Sequence, residues 1–266
     1  MAIVFRVKPW YKKSSGPTYQ GIWVPKTWSG LTNFNGSYIW TDGTDIYCSS
    51  STSQYVLDKA TSTWSEKTWS GLTSFYASRI WTDGANIYYS NGADQYVLDK
   101  STSTWTPKTW IDYSNINGQY IWTDGTDIYY SISSDQYVLD KSTSTWSQKT
   151  WNQTVTGRDI WTDGTDIYWS NGDQYVLNKS TSTWSTKTWS GFSNPIGRYI
   201  WTDGTDIYYS YSSQYGSAQC VLDKATSKWT DKTWSDTDLT VFNGSNVWKD
   251  GNHIYYSSGT IQYELT

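Results

Sequence analysis

The residues that recur in a form able to do chemistry are carboxylates. The segment Thr-Asp-Gly-Thr-Asp at Thr41 to Asp45 returns at Thr123 to Asp127, Thr162 to Asp166 and Thr202 to Asp206. Acids alternating with glycine and threonine look like a calcium loop, but the distant bidentate glutamate and most of the ligand positions of such a loop are missing. Each segment therefore reads as a turn. The Asp-Lys-x-Thr segments beginning at Asp58, Asp99, Asp140 and Asp223 read the same way, the aspartate accepting bonds from its own backbone. His253, the single histidine, replaces the Asp45-type residue of one copy, and no nucleophile, acid or metal-ligand set assembles around it. Cys48 and Cys220 stand where other copies carry Tyr or Trp, so they read as isolated, unpaired substitutions rather than a disulfide. No catalytic residue, metal or cofactor is expected, and the chemistry left to this chain is recognition. An enzyme built on two carboxylates, a glycan hydrolase or lyase, stays as an alternative because acids are plentiful.

Those residues sit in an internal repeat. The block IWTDG or a variant places Trp at 40, 81, 122, 161, 201 and 248; KTW places Trp at 28, 69, 110, 151, 189 and 234; and QYVLDK or a variant begins at Gln54, Gln95, Gln136, Gln174, Gln219 and Gln262. Each unit of about 40 residues holds four short runs of β-branched and aromatic residues separated by turn residues. In the first unit these are strand A near Tyr38 to Thr41, B near Asp45 to Ser49, C near Gln54 to Asp58 and D near Thr63 to Trp69. Asp42-Gly43 between A and B predicts a tight hairpin in which both residues take positive φ. One such sheet cannot bury both faces, but six around an axis can. The fold expected is all-β, a six-bladed propeller of four-stranded antiparallel blades over residues 21–266, preceded by a basic arm over 1–20. The sixth unit stops after its strand C, while GIWVPKTW at 21–28 is a strand D with no A, B or C before it. The N-terminal segment should complete the last blade and close the ring.

Composition is consistent with this. Of 20 tryptophans, 18 occupy three fixed places per unit and only Trp10 and Trp169 do not, which points to packing between blades rather than to sugar stacking. The net charge is −4, yet Arg6, Lys8, Lys12 and Lys13 fall in the arm, leaving a body of 16 bases against 24 acids. Such a body repels nucleic acid and anionic membrane. The chain shows no signal-peptide pattern and no apolar run of membrane-spanning length, so the expected location is a virion or the cytoplasm.

The spacing of Asp58, Thr61 and Trp64, repeated at Asp99, Thr102 and Trp105, resembles the kelch family, whose repeats carry an aspartate followed by Thr and then Trp. The resemblance covers about residues 21 to 265 and implies a propeller that binds, often as an intracellular protein-interaction adaptor. It departs where kelch repeats carry a double glycine after strand B, since Ser49, Ser90, Ser131, Ser170, Ser210 and Ser257 stand there. Kelch enzymes like galactose oxidase need more histidine than this chain has, and the turn motif of sialidase-like propellers is absent. The alikeness of the units and their wealth of Tyr, Asn, Ser and Thr also resemble propeller repeats of bacteriophage and prophage structural proteins.

The A–B and C–D connections keep one length throughout, whereas B–C and D–A vary in length and content. In a meander the two variable connections share one edge of every blade, so diversity gathers on one face of the disk. Two residues before each strand A tryptophan come Tyr38, Arg79, Tyr120, Asp159, Tyr199 and Asn246. Strand A is innermost in propellers, so these should ring the axial mouth, joined by Arg158, Arg198 and the long loop containing Tyr211. Tyr and Arg are common binding anchors, and with Asp and Asn they suit carbohydrate hydroxyls. The plainer reading is that surface residues drift once packing is satisfied. The expected role is a non-catalytic binding or structural module, a phage or prophage virion component recognising a host glycan or another virion protein through this face, with the basic arm free to attach to an assembly partner.

Overall fold

A computed structural model describes residues 21–31, 39–49, 52–213, 216–234, 242, 244–258 and 260–266. The basic arm expected at 1–20 lies outside the described residues. The architecture is a six-bladed propeller whose sheets run A-B-C-D in order. In blade one these strands are Ile39–Thr41, Ile46–Ser49, Gln54–Asp58 and Thr63–Glu66. The second blade gains a two-residue fifth strand, Ile116–Asn117, where the connection into blade three runs beside Asn91 and Gly92. The described helical segments are 3₁₀ turns of three residues, and no helix among the described residues is long and apolar enough to cross a membrane.

The sixth blade is composite. Its strands A to C are Val247–Asp250, His253–Ser258 and Ile261–Leu265, and its strand D is Trp23–Pro25. Trp23 pairs with Leu265, Val24 with Glu264 and Pro25 with Tyr263. The Gly21 amide donates to the Thr266 carbonyl at 3.0 Å and the Lys26 amide to the Gln262 carbonyl at 2.9 Å. Closure therefore occurs where the divided repeat requires it.

Six apolar clusters mark the six seams between blades. Between blades two and three, Trp81 and Tyr88 meet Ile121, Ile128, Leu139 and Trp146, with Trp110 wedged in the seam. Trp81 stacks on Tyr88 at 4.4 Å between centroids, tilts against Trp110 at 5.6 Å, and Trp110 meets Trp146 edge-on at 6.0 Å. The three tryptophan rows of the repeat thus converge on one seam: the strand A residue of one blade, the wedge that follows its strand D, and the strand D residue of the next blade. Trp248, Trp28 and Trp64 build the closing seam in the same way. Each buried tryptophan contributes on the order of 4–6 kcal/mol as an upper bound, so the seams hold the ring without metal or disulfide.

The serine that departs from the kelch pattern has a defined task. Trp40 Nε1 donates to Ser49 Oγ at 2.7 Å, and the same bond forms from Trp81 to Ser90, Trp122 to Ser131, Trp161 to Ser170, Trp201 to Ser210 and Trp248 to Ser257. These serines are at most 1% exposed. A glycine there could not accept the indole N–H, and a buried donor without a partner is costly. Cys48 and Cys220 are buried, free thiols that take one place of the cross-strand aromatic pairs, opposite Tyr55 and Tyr209. Burial pushes the Cys48 thiol up to about 12, which keeps it protonated and inert.

The A–B connection corrects the expectation of a two-residue hairpin. It spans Asp42 to Asp45, closed by the Asp42 amide donating to the Asp45 carbonyl at 3.2 Å, and only Gly43 takes positive φ, at 94°. Asp42 Oδ1 accepts from the amides of Thr44 and Asp45 at 2.9 and 2.8 Å, so the carboxylate does work that a second positive-φ residue would do in a shorter turn. Its other oxygen accepts from the Tyr47 hydroxyl at 3.3 Å. Burial, reinforced by the charges of Asp42 and Asp45, pushes the Tyr47 hydroxyl up and keeps it a donor. The Asp-Lys-x-Thr turns behave as read: Asp58 accepts from the Ala60 amide and from the Thr61 hydroxyl.

Replacing Ser131 by Ala should lower unfolding stability by about 1–3 kcal/mol, the cost of orphaning a buried donor. Ser147→Ala, at an exposed place on the outer strand Thr145–Gln148 of the same blade, should change nothing measurable in the same denaturant titration. Removing residues 1–28 should lower the melting temperature sharply, because it strips a strand from blade six and the wedge from the closing seam; an unchanged melting temperature would refute this closure.

Candidate functional site

Each described D–A connection ends in a 3₁₀ turn placed directly before strand A: Ala77–Arg79, Gly118–Tyr120, Gly157–Asp159, Gly197–Tyr199 and Gly244–Asn246. The turns touch one another in succession around the axis. Glycine at the first position makes this possible. A Cβ on Gly118 would lie 2.1 Å from the Arg79 carbonyl oxygen, on Gly157 2.3 Å from that of Tyr120, on Gly197 2.1 Å from that of Asp159, and on Gly244 2.4 Å from that of Tyr199. Each of these four turns therefore presses its first Cα against the last carbonyl of the turn before it, and together with Ala77–Arg79 they form a close-packed inner rim.

The site residues read from the sequence fall on this rim with two exceptions. Arg79, Tyr120, Asp159, Tyr199 and Asn246 are the third residues of their turns, and Arg158 and Arg198 are second residues of theirs. Tyr38 lies outside the described residues. Tyr211 is on strand B of blade five, its backbone paired with Ala218, and its side chain is outside the described part. Asp159 differs from the surface contact expected of it. It is 2% exposed and faces Arg198 of the next turn, with 3.9 Å between carboxylate and guanidinium. The Arg198 guanidinium lies 5.4 Å from the Tyr199 ring centroid, and that of Arg79 lies 5.2 Å from Tyr76. Tyr76 is 47% exposed, an aromatic surface beside the rim that the sequence reading did not single out.

The loops behind the rim are held, in blades two to four, by the glutamine near the start of strand C. Gln95 Nε2 donates to the carbonyls of Ser114 and Ile116 at 3.2 and 3.1 Å, and its Oε1 accepts from Trp110 Nε1 at 3.2 Å. Gln136 reaches the Val155 carbonyl and Gln174 the Pro195 carbonyl in the same manner. Other aromatic side chains pack within the connections, Tyr113 stacking on Tyr137 at 4.1 Å and Phe192 against Tyr209 at 4.9 Å. Where the connection after Trp151 is two residues shorter, Asn152 substitutes its side-chain amide for a backbone bridge, donating to the Trp184 carbonyl at 2.8 Å and accepting from its amide at 2.7 Å. The variable loops thus differ in sequence while being anchored by repeated bonds.

The opposite face is committed to holding blades together. Lysines of the C–D turns reach back to the A–B turn of the preceding blade: Lys100 to the Asp42 carbonyl, Lys179 to that of Asp124 at 2.9 Å and Lys224 to that of Asp163. The KTW lysines lie over their own tryptophans, Lys67 at 4.8 Å from Trp69, and donate across the seam, Lys67 to Ser103 Oγ at 2.8 Å. A cleft at the seam of blades six and one is lined by Lys26, Trp28, Lys59, Asp250, His253 and Tyr255. Its charges are paired within the seam: Lys26 with Glu264 at 3.1 Å, His253 with Glu264 at 2.6 Å and Lys59 with Asp250 at 2.7 Å. Among the described residues the rim carries one carboxylate, Asp159, so the paired acids an enzyme of the glycosidase type would need are not brought together there.

No family model matches the sequence and no curated protein matches it, so the kelch-like expectation rests on its motif alone. Solved structures do match the fold. One is the extracellular domain of a protein described as a one-component system of B. thetaiotaomicron, 9% identical, with a TM-score of 0.56 over 93% of this chain and 43% of that one. Another is the extracellular domain of a protein described as a hybrid two-component system of the same organism, 13% identical, with a TM-score of 0.50 over 93% of this chain and 36% of that one. The chain spans less than half the length of either structure, and at these identities the likeness is one of propeller fold.

Proposed function

We propose that this chain is a non-catalytic binding propeller that takes its ligand at the axial rim of the variable face. One observation carries the reading. The 3₁₀ turns form a fixed, close-packed rim whose third residue changes from each turn to the next, while the strands and the A–B and C–D turns of each blade repeat. A ring of identical turns offers symmetry and little specificity, whereas unlike side chains held on a rigid rim form a distinctive surface. The tyrosine and arginine side chains there are of the types that dominate binding surfaces.

The setting that fits best is a bacteriophage or prophage virion, with the propeller presenting this rim to a host-surface glycan or to another virion protein. The nearly identical units rich in Tyr, Asn, Ser and Thr support it. The similar solved structures are extracellular domains of proteins described as one-component and hybrid two-component systems, which favours a ligand-binding use of the fold over a catalytic one. The single rim carboxylate favours the same side.

A glycan array read beside a pull-down from the native source identifies the ligand class. Tyr120→Ala and Tyr199→Ala should each weaken binding by about 1–3 kcal/mol; both side chains are half-buried and pack against the edge of a seam cluster, so melting temperatures measured beside the affinities separate lost contact from lost stability. Intact affinity in both variants, together with loss of binding on substitution of the Asp42-Gly43 or Asp58-Lys59 turns, would move the site to the opposite face.

A further inference from the structure

The two kinds of cation in this protein are segregated. Beyond the KTW segments, the B–C and D–A connections contain no lysine. The lysines of the described residues belong instead to the KTW segments, to the C–D turns and the start of one strand D, and to strand A of blade six. Three of the chain's four arginines, Arg79, Arg158 and Arg198, stand in the axial turns. The variable connections carry no other cation.

Arginine differs from lysine in ways that matter here. Its planar fork grips a carboxylate or sulfate with two parallel bonds, it sheds water more readily, and it stacks on aromatic rings. Both Arg79 and Arg198 lie against tyrosine rings, which limits the side-chain freedom lost on binding. Arg158 and Arg198 occupy successive turns that touch through Gly197 and the Asp159 carbonyl. Asp159 stands 3.9 Å from Arg198, beyond hydrogen-bond length, so the two face each other as opposite charges. Three guanidinium groups against one carboxylate give the described rim a surplus of positive charge, within a protein whose net charge is −4. A local positive mouth in an acidic body draws an anionic group toward the axis.

The anion must be compact. Asp94, Asp135 and Asp173 stand exposed on the B–C hairpins, one strand farther from the axis than the rim, and repel an extended polyanion such as nucleic acid. Around the arginines the groups are tyrosine planes and the neutral polar side chains of Ser78, Gln119 and Asn246, partners for sugar faces and hydroxyls. From this geometry we infer that the axial rim binds an acidic saccharide, with Arg158 and Arg198 receiving its carboxylate or sulfate and Arg79 with Tyr76 receiving a neighbouring ring. The inference rests on the variable face being the ligand face.

The test is direct titration of the full chain with trigalacturonate and a heparin-derived tetrasaccharide, against neutral galactotriose and chitotriose. Trigalacturonate tests a carboxylate and the heparin fragment a sulfate. The acidic probes should bind, the neutral ones should bind at least about tenfold more weakly, and added salt should weaken the acidic complexes. R158Q and R198Q should each lose about tenfold in affinity, whereas K141Q, which removes the same charge from a C–D turn on the opposite face, should lose none; melting temperatures verify that each variant is folded. Equal binding of neutral and acidic probes, with R158Q and R198Q unaffected but Y120A weakened, would overturn the acidic-saccharide assignment while leaving the ligand face in place. No binding of either acidic probe at millimolar concentration would overturn the assignment as well. Saccharide binding abolished by opposite-face substitutions and untouched by every rim variant would overturn both.

Discussion

The stacked pair of a strand A tryptophan and a strand B tyrosine, with the indole N–H fixed to a buried serine, is the interaction on which the ring depends. Its centroid separations, 4.3 to 4.4 Å in all six blades, show how little latitude it has. The serine bond sets the indole plane, the plane sets where the wedge tryptophan enters, and the wedge sets the position of the next blade. A propeller has to close after a whole number of blades, so an error at one seam would accumulate around the axis. Uniform seams are therefore a requirement of closure, and they account for the near-identity of the repeated blocks without any appeal to function.

Splitting the last blade disturbs that uniformity, and the sequence compensates locally. Blade six has no C–D turn, hence no turn lysine to reach blade five. Lys249, standing where other strand A segments carry threonine, reaches the Asp203 carbonyl at 3.4 Å instead. Burial, partly offset by Asp203, lowers its basicity. Glu264 likewise replaces the usual valine of strand C and draws Lys26 onto the composite sheet, so Lys26 bonds within blade six where its counterparts bond to a serine of the next blade. The cleft at that seam follows from this exchange and from the pairing of Lys59 with the Asp250 side chain, which is why its charged groups are already matched.

Much of the fold was legible because packing constraints repeat and repetition is visible in a single sequence. The six units, the four strands, the composite last blade and the structural place of 18 tryptophans all follow from periodic residue types. The serine and glutamine columns were visible as columns, yet their tasks were not. A polar residue inside a strand pattern looks the same whether it faces solvent or accepts from an indole across the sheet. The Asp42-Gly43 pair was misread as a two-residue hairpin because pair preference ignores the side chain of Asp42, which stabilises a longer loop. The rim was half legible. Counting back from the strand A tryptophan located its residues, but the contacts of Gly118, Gly157, Gly197 and Gly244 with the preceding turn depend on the ring being closed, and no local propensity encodes them. Tyr76 was missed because the residue at its place does not repeat: Asn35, Asn117 and Ile196 stand there in the connections of equal length.

The division of labour between the faces explains why so regular a molecule has one face on which side chains are free to vary. On one face lysine, aspartate and tyrosine are spent on bonds within and between blades: the Tyr129 hydroxyl donates to Asp124 of its own blade at 3.2 Å and Lys179 of the next blade to the carbonyl of the same aspartate at 2.9 Å. A substitution there breaks a seam as well as a surface, so that face has little freedom to acquire specificity. On the other face the repeated glutamine bonds end at loop carbonyls and the rim is fixed by glycine backbone, so the scaffold is secured by groups that place no demand on the outward side chains. The third residues of the turns, Arg79, Tyr120, Asp159, Tyr199 and Asn246, change type from each turn to the next because the fold does not need them to be alike. Chemistry can vary there without a change in architecture, and for that reason the rim, rather than the more conspicuous tryptophans, is where the ligand of this propeller is to be sought.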